Sequence, residues 1–251
     1  MSVIAIASML ATQAPITLLY QPKVGSTLKY ATSMVQSNPM AGGNTTTTMT
    51  VSMKVLSFAN GYYKVENSTS NYKNSSSGNA QMSAQMKKAM ERKTVMLFDK
   101  FGSMKVEGQT NQPKGMQEMM GALNGQGTGM LFPSKPVKVG ETWGKTIDMG
   151  ALMGAATKGQ GKGSGKMTLT YKLLKIEGNT AVISATQKGS MNMSMGAPKN
   201  GGQPMTMNMT FNGTGTINVD RATGTLISSS NKVNMGVMGQ QMVMSMSMKK
   251  I

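Results

Sequence analysis

Met49-Thr-Val-Ser-Met-Lys-Val-Leu-Ser-Phe58 returns later in the chain as Met167-Thr-Leu-Thr-Tyr-Lys-Leu-Leu-Lys-Ile176. In the first stretch Met49, Val51, Met53 and Val55 recur at every second position, the period of one face of a β-strand. The apolar phase then slips by one residue, to Leu56 and Phe58. The second stretch slips at the matching place, from Met167, Leu169, Tyr171 and Leu173 to Leu174 and Ile176. A shared slip predicts a β-bulge or strong bend, which lets a long strand curl. Both stretches run into turn signals, Asn60-Gly61 and Gly178-Asn179. Such pairs supply the positive φ that tight hairpins need. The reading is a long bent hairpin, used twice.

Further anchors keep the same order. Lys23-Val-Gly25-Ser-Thr27 matches Lys138-Val-Gly140-Glu-Thr142, and Phe98-Asp99 to Gly102 matches Val219-Asp220 to Gly224. The offsets lie between 115 and 122 residues, so an internal duplication is the simplest account. The expected fold is therefore mainly β, with two tandem related antiparallel modules over 15–125 and 126–251. They form curved sheets of a barrel-like or half-barrel body, with about five strands in the first and six in the second. Whether the modules share one sheet is open.

Period two is strongest in methionine. Met191, Met193 and Met195, then Met205, Met207 and Met209, then Met242, Met244, Met246 and Met248 alternate with mostly small polar residues. The last row predicts a closing strand near 241–251. Two short amphipathic helices are expected near 81–93 and 114–123. The first places Met82, Met86 and Met90 at four-residue spacing with basic residues toward its C-terminal end. The Gly-rich tract 154–166, the stretch 196–204 and the stretch 71–79 are expected as loops.

Composition excludes several chemistries. The chain has no Cys and no His, which removes disulfides, thiolate nucleophiles, imidazole bases, and zinc or haem ligation through those residues. It also removes the lipid-attachment residue of a lipoprotein, so an N-terminally lipidated protein is not expected. Lys+Arg number 26 against 9 Asp+Glu, a net charge of +17, and only Arg92 and Arg221 are arginines. Lysine is a hydrated point charge suited to loose attraction rather than forked readout. With few aromatics interleaved among the basic residues, a specific nucleic-acid surface is not expected. Anionic surfaces of the cell envelope are the more natural partner. Residues 1–14, apolar and ending in small residues, resemble a signal-peptide core without its basic leader. The alternative is an N-terminal strand. The expectation is an exported protein, soluble or peripheral.

At Phe132-Pro-Ser-Lys-Pro-Val-Lys-Val-Gly-Glu-Thr-Trp143 the chain resembles a family of uncharacterised exported bacterial proteins. Its members carry a Pro-x-x-Pro-Val-x-Val-Gly-(Asp/Glu)-x-Trp stretch between two β halves. The resemblance implies an envelope location and a β-rich fold, and it implies no activity. Many such proteins look like lipoproteins, and this chain departs by lacking the lipidation Cys. Read as structure, Pro133 and Pro136 fix an extended approach, Gly140 turns, and Trp143 begins a strand and packs.

No catalytic constellation emerges. The tract Gly159 to Lys166 fails phosphate-loop spacing, because Met167 stands where a Ser or Thr would hold Mg²⁺. Glu141 and Asp148 flank Trp143 in a weak imitation of a sugar site, and a glycosidase needs two carboxyls flanking one bond. The expectation is a non-catalytic protein without cofactor or resident metal. A Met-lined face suits an apolar or lipid-like ligand, because Met is flexible and polarizable. Two alternatives stand beside it: a Cu(I)/Ag(I)-binding protein, since thioether sulfur suits soft cations, and a structural or adhesive module with no ligand. Oligomeric state is not legible.

Overall fold

The computed structural model describes residues 14–38, 43–75, 91, 93–107, 131–149, 161–195, 205–237 and 240–251. The strands are β1 (Thr27–Asn38), β2 (Gly43–Ala59), β3 (Tyr62–Asn74), β4 (Thr94–Asp99), β5 (Met104–Val106), β6 (Thr142–Asp148), β7 (Gly161–Glu177), β8 (Thr180–Met195), β9 (Met205–Asp220), β10 (Leu226–Val237) and β11 (Gln240–Lys250). All belong to one antiparallel sheet in the order β5-β4-β3-β2-β1-β11-β10-β9-β8-β7-β6. The two expected modules thus share a sheet, joined where β1 pairs with β11 through Tyr30↔Lys250 to Ser37↔Val243.

The phase slips are bulges. Pairing of β2 with β3 shifts between Val55 and Ser57, and pairing of β7 with β8 shifts between Leu173 and Lys175. Leu56 and Leu174 are the residues left over, and both are exposed. The turn ahead of each module grips the bulge in the same way. Gly25 N donates to Val55 O at 2.8 Å and Gly140 N to Leu173 O at 2.7 Å. In return Val55 N donates to Ser26 O at 2.9 Å and Leu173 N to Glu141 O at 3.1 Å. Gly25 and Gly140 both hold positive φ, 84° and 91°. The Asp-Gly turns match as well. Asp99 Oδ1 accepts from Phe101 N and Ser103 N, while Asp220 Oδ1 accepts from Thr223 N and Thr223 Oγ1.

The sheet is curled, and one short segment shows by how much. Tyr20 N donates to Lys100 O at 2.9 Å in the β4–β5 turn, and Gln21 N donates to Thr223 O at 2.7 Å in the β9–β10 turn. Strands β4 and β9 stand six places apart in the sheet order. In a flat sheet that is about 29 Å, at about 4.8 Å per strand. Consecutive residues bridge it only if the sheet wraps round. Phe132 N likewise donates to Phe101 O at 2.9 Å, tying the turn before β5 to the approach to β6, at opposite ends of the order. The edges β5 and β6 are nevertheless not paired, so the sheet stays open along one side.

Ile16, Leu18 and Tyr20 cross this end of the sheet as a floor, all buried. Tyr20 packs edge-on to Tyr63 at 5.6 Å and against Phe98 at 5.4 Å. With Tyr30, Val51, Val55, Leu173, Ile183 and Val219 they make one apolar core at the floor end. We call the opposite end, where β1–β2, β8–β9 and β10–β11 connect, the rim.

Two expectations change. Gly161 to Lys166 lies in β7 rather than in a loop. Its glycines are packing positions: Gly165 stands opposite Met191, where a Cβ would strike the Ser190 carbonyl and Met191 Cα. Asn71 to Asn74 belongs to β3, after a second register shift with Asn71 at φ 55°. The point the sequence left open is decided by the single eleven-stranded order: the curved sheets are continuous. The helices expected near 81–93 and 114–123, the loop at 196–204 and the segment 1–13 lie outside the described residues, apart from Glu91 in a turn and Lys93.

Candidate functional site

Met191, Met207, Met209, Met242, Met244, Met246 and Met248 fall on the inner face of the curled sheet. Strand register pairs Met191 with Met209, Met193 with Met207 and Met195 with Met205 across β8 and β9. Met242 pairs with Met235 of β10, Met246 with Met34 of β1, and Met248 with Thr32 of β1 and Ser229 of β10. Strands β8, β9, β10, β11 and β1 are consecutive in the sheet, so the two groups of rows share one wall. Directly opposed side chains on one face approach within about 5 Å at Cβ, close enough to touch.

Burial divides the methionines into two groups. Met248 is 1% exposed and Met191 5%, and both join the core, as do Met49, Met53 and Met167. Met207, Met209, Met242, Met244 and Met246 are only half-buried. Sequence reasoning missed other members of this wall, namely Met34, Gln36, Phe211, Val233 and Met235. Their alternation is interrupted by polar and Gly positions, and only the register reveals it.

Uncharged polar groups are interspersed with the methionines on the inner face. Thr47 is buried and accepts from Asn74 Nδ2 at 3.0 Å. Gln187 and Asn231 lie over Gly213 and Gly215, where a Cβ would strike those side chains. Thr32 is 5% exposed, set between Met49 and Met248 in the register. The hydroxyls of Thr32 and Tyr20 and the Gln187 amide nitrogen are buried without a hydrogen-bond partner.

Charge is segregated to the other face. Lys29, Lys54, Lys166, Lys172, Lys188, Lys232 and Lys249 are exposed and out of phase with the buried positions. Between them stand Thr, Ser and Asn, as in Thr206, Asn208, Thr210, Asn212, Thr214 and Thr216 of β9. Lys145 and Lys250 are in phase with the inner face, on edge strand β6 and at the floor end of β11, and both are exposed. An inward lysine on an open edge also discourages sheet extension.

The Pro133–Trp143 stretch lies at the foot of the open side. Pro133 is buried and Pro136 exposed, and Gly140 makes the turn onto β6. Trp143 stacks on Tyr171 at 5.8 Å and donates from Nε1 to Leu131 O at 2.6 Å. Desolvation pushes the Tyr171 phenol up to about 12, with the Leu131 backbone partly opposing it. An open groove of about 540 Å³ runs here, walled by Phe101, Leu131, Phe132, Pro133 and Trp143. Glu141 accepts the Lys138 N–H, which occupies it in the turn. Among the described residues no cluster of three or more Asp or Glu could hold a metal ion.

Comparison with curated proteins finds no match. From ahead of β6 into the first residue of β10, over residues 122–226, the chain is similar to a family of unknown function, DUF6263, and this stretch includes the Pro133–Trp143 motif.

Proposed function

We propose that this is a non-catalytic protein of the cell envelope that holds an apolar, lipid-like chain against the Met-lined inner wall. One observation carries the reading: the inner face is sealed at the floor and lined toward the rim by half-buried, paired methionines. Methionine side chains re-pack around ligands of variable shape. The outer face of Thr, Ser, Asn and Lys is the reverse of the apolar band that a membrane-spanning barrel turns to lipid. Its lysines suit anionic surfaces. No described helix is long and apolar enough to cross a membrane. We also take the two halves, 15–125 and 126–251, as copies of one module, which the matched bulge and turn hydrogen bonds support. Titration with a fluorescent acyl probe tests the ligand reading. Saturable micromolar or tighter binding is expected, and no binding contradicts it.

A second reading rests on the strand register, which sets Met191, Met193 and Met195 of β8 opposite Met209, Met207 and Met205 of β9. Such a ladder suits Cu(I) or Ag(I). Titration with Cu(I) against a chelator competitor decides it, and micromolar or weaker affinity dismisses it. A purely structural or adhesive module binds neither probe.

A further inference from the structure

Resting on the anionic-surface part of the reading above, and not on the acyl ligand, we propose that the outer face binds a linear acidic polysaccharide along one oblique line of lysines. Strand register draws the line. Lys166 of β7 stands opposite Ser190 of β8, and Lys188 lies two residues from Ser190 toward the floor. Lys188 faces Asn212 of β9, and Lys232 of β10 faces Thr214, two residues lower again. Lys249 of β11 faces Ser228, four residues below Lys232 along β10. Lys29 of β1 lies two residues below Ala31, the partner of Lys249, and Lys54 of β2 faces Thr27, two residues below Lys29. Each lysine stands nearer the floor than the one before it.

With about 4.8 Å between strands and about 3.4 Å per residue, neighbours on the line are about 8–14 Å apart and the line is about 50 Å long. All six lysines are exposed. Strands β8, β10, β11, β1 and β2 carry no carboxylate, and β9 carries only Asp220 at its floor-end turn. Acids face the line at its two ends alone. Asp148 of edge strand β6 stands opposite Lys166, and Glu66 of β3 stands opposite Lys54 and pairs with Lys93 at 3.0 Å. Lys188, Lys232, Lys249 and Lys29 form the middle of the line, where no carboxylate stands opposite in the register. Between these four the same face presents the hydroxyls of Thr214, Ser230, Ser245 and Ser247.

Charge and spacing together select the partner. Exposed ion pairs are individually weak, so a polymer that engages several lysines at once is held where its monomer is not. The hydroxyls between the lysines match sugar hydroxyls between carboxylates. Nucleic acid fits less well, because its charges recur about every 3.4 Å along a strand, several times more densely than this line. The outer positions of β8 to β11 and β1 also include no aromatic ring on which a base could stack. A bilayer fits less well again. The lysines lie on the convex side of the curled sheet, so a flat surface meets only a strip of it. The apolar residues at these outer positions are Ala31, Val35, Val182 and Val243, too small to anchor in lipid.

The test uses the full chain at pH 7 and low salt with end-labelled linear oligogalacturonate, read by fluorescence anisotropy. Saturable binding is expected, with no competition from monomeric galacturonate. The triple variant Lys188→Gln/Lys232→Gln/Lys249→Gln should weaken binding by at least about tenfold. Lys23→Gln/Lys135→Gln/Lys138→Gln removes the same charge from exposed floor-end loops and should weaken it by no more than about twofold. Lys232→Gln alone, expected to cost about two- to threefold, keeps the comparison should the first triple variant fail to fold. Equal losses in the two triple variants overturn the line. Vesicles of phosphatidylglycerol that bind more tightly than the oligogalacturonate overturn the polysaccharide and leave the anionic-surface reading standing. A folded wild-type protein that binds neither probe overturns both.

Discussion

At the scale of single residues, Gly224 and Gly61 share a backbone demand and differ in surroundings. Both hold positive φ, 63° and 79°. A Cβ on Gly61 meets open space, whereas one on Gly224 strikes the Leu19 carbonyl as the floor segment passes. Gly61→Ala should therefore cost about 1 kcal/mol for the backbone alone. Gly224→Ala should cost more, about 2–4 kcal/mol, because the floor must move away. Urea unfolding midpoints of the two variants make the comparison, and equal losses would show that Leu19 does not rest on the turn. The buried phenols set an alkaline limit. Burial raises Tyr20, with Tyr30 and Tyr63 contributing, and burial raises Tyr30 and Tyr171 as well. The folded state then holds these protons to higher pH than the unfolded chain, whose value is 10.0. Their stabilisation is complete below that value and is lost as pH rises through the folded values. Stability should carry no slope from these groups up to about pH 9 and fall above about pH 10, read by unfolding midpoints against pH with tyrosinate absorbance alongside.

At the scale of elements, the bulged hairpin separates packing from conformation. Leu173 is fully buried and Leu174, one residue on, is exposed by the bulge. Leu173→Ala should cost about 2–5 kcal/mol, and Leu174→Ser no more than about 0.5 kcal/mol; thermal melts of both variants check it. This element was legible because alternation and its slip are local properties of the chain, and Leu56 and Leu174 fell where the phase broke. The tract Gly161 to Lys166 was misread because glycine signals a loop locally, while here Gly165 makes room for a neighbouring strand's Met191. That contact joins residues far apart in sequence, and no local pattern encodes it. The same limit hid the interspersed polar positions, since Thr32 and Gln187 meet the wall only through register.

At the scale of the whole molecule, Tyr20 converts a long sheet into a curled one with a floor. Its ring bears on Tyr63 and Phe98 while its amide ties the β4–β5 turn. Tyr20→Ala should cost about 3–5 kcal/mol and loosen the floor end ahead of the rest. Amide hydrogen exchange should rise first in the turns at Asp99 to Gly102 and Asp220 to Gly224. Ile16, Leu18 and Tyr20 alternate along the chain, but nothing local in that run encodes that it crosses the strand ends. The methionine rows were visible as rows, and the curl decides that they lie on the concave side of the sheet.

The central claim is that the inner wall passes from solid core to accessible, ligand-holding methionine. Mild peroxide oxidation, read residue by residue by peptide mass spectrometry, tests it directly because sulfoxide formation follows exposure. Met207, Met209, Met242, Met244 and Met246 should oxidise at least about tenfold faster than Met49, Met53, Met167 and Met248, and a bound acyl chain should slow the first group alone. Equal rates in the two groups, or rim methionines that a saturating acyl probe leaves unprotected, would contradict the account.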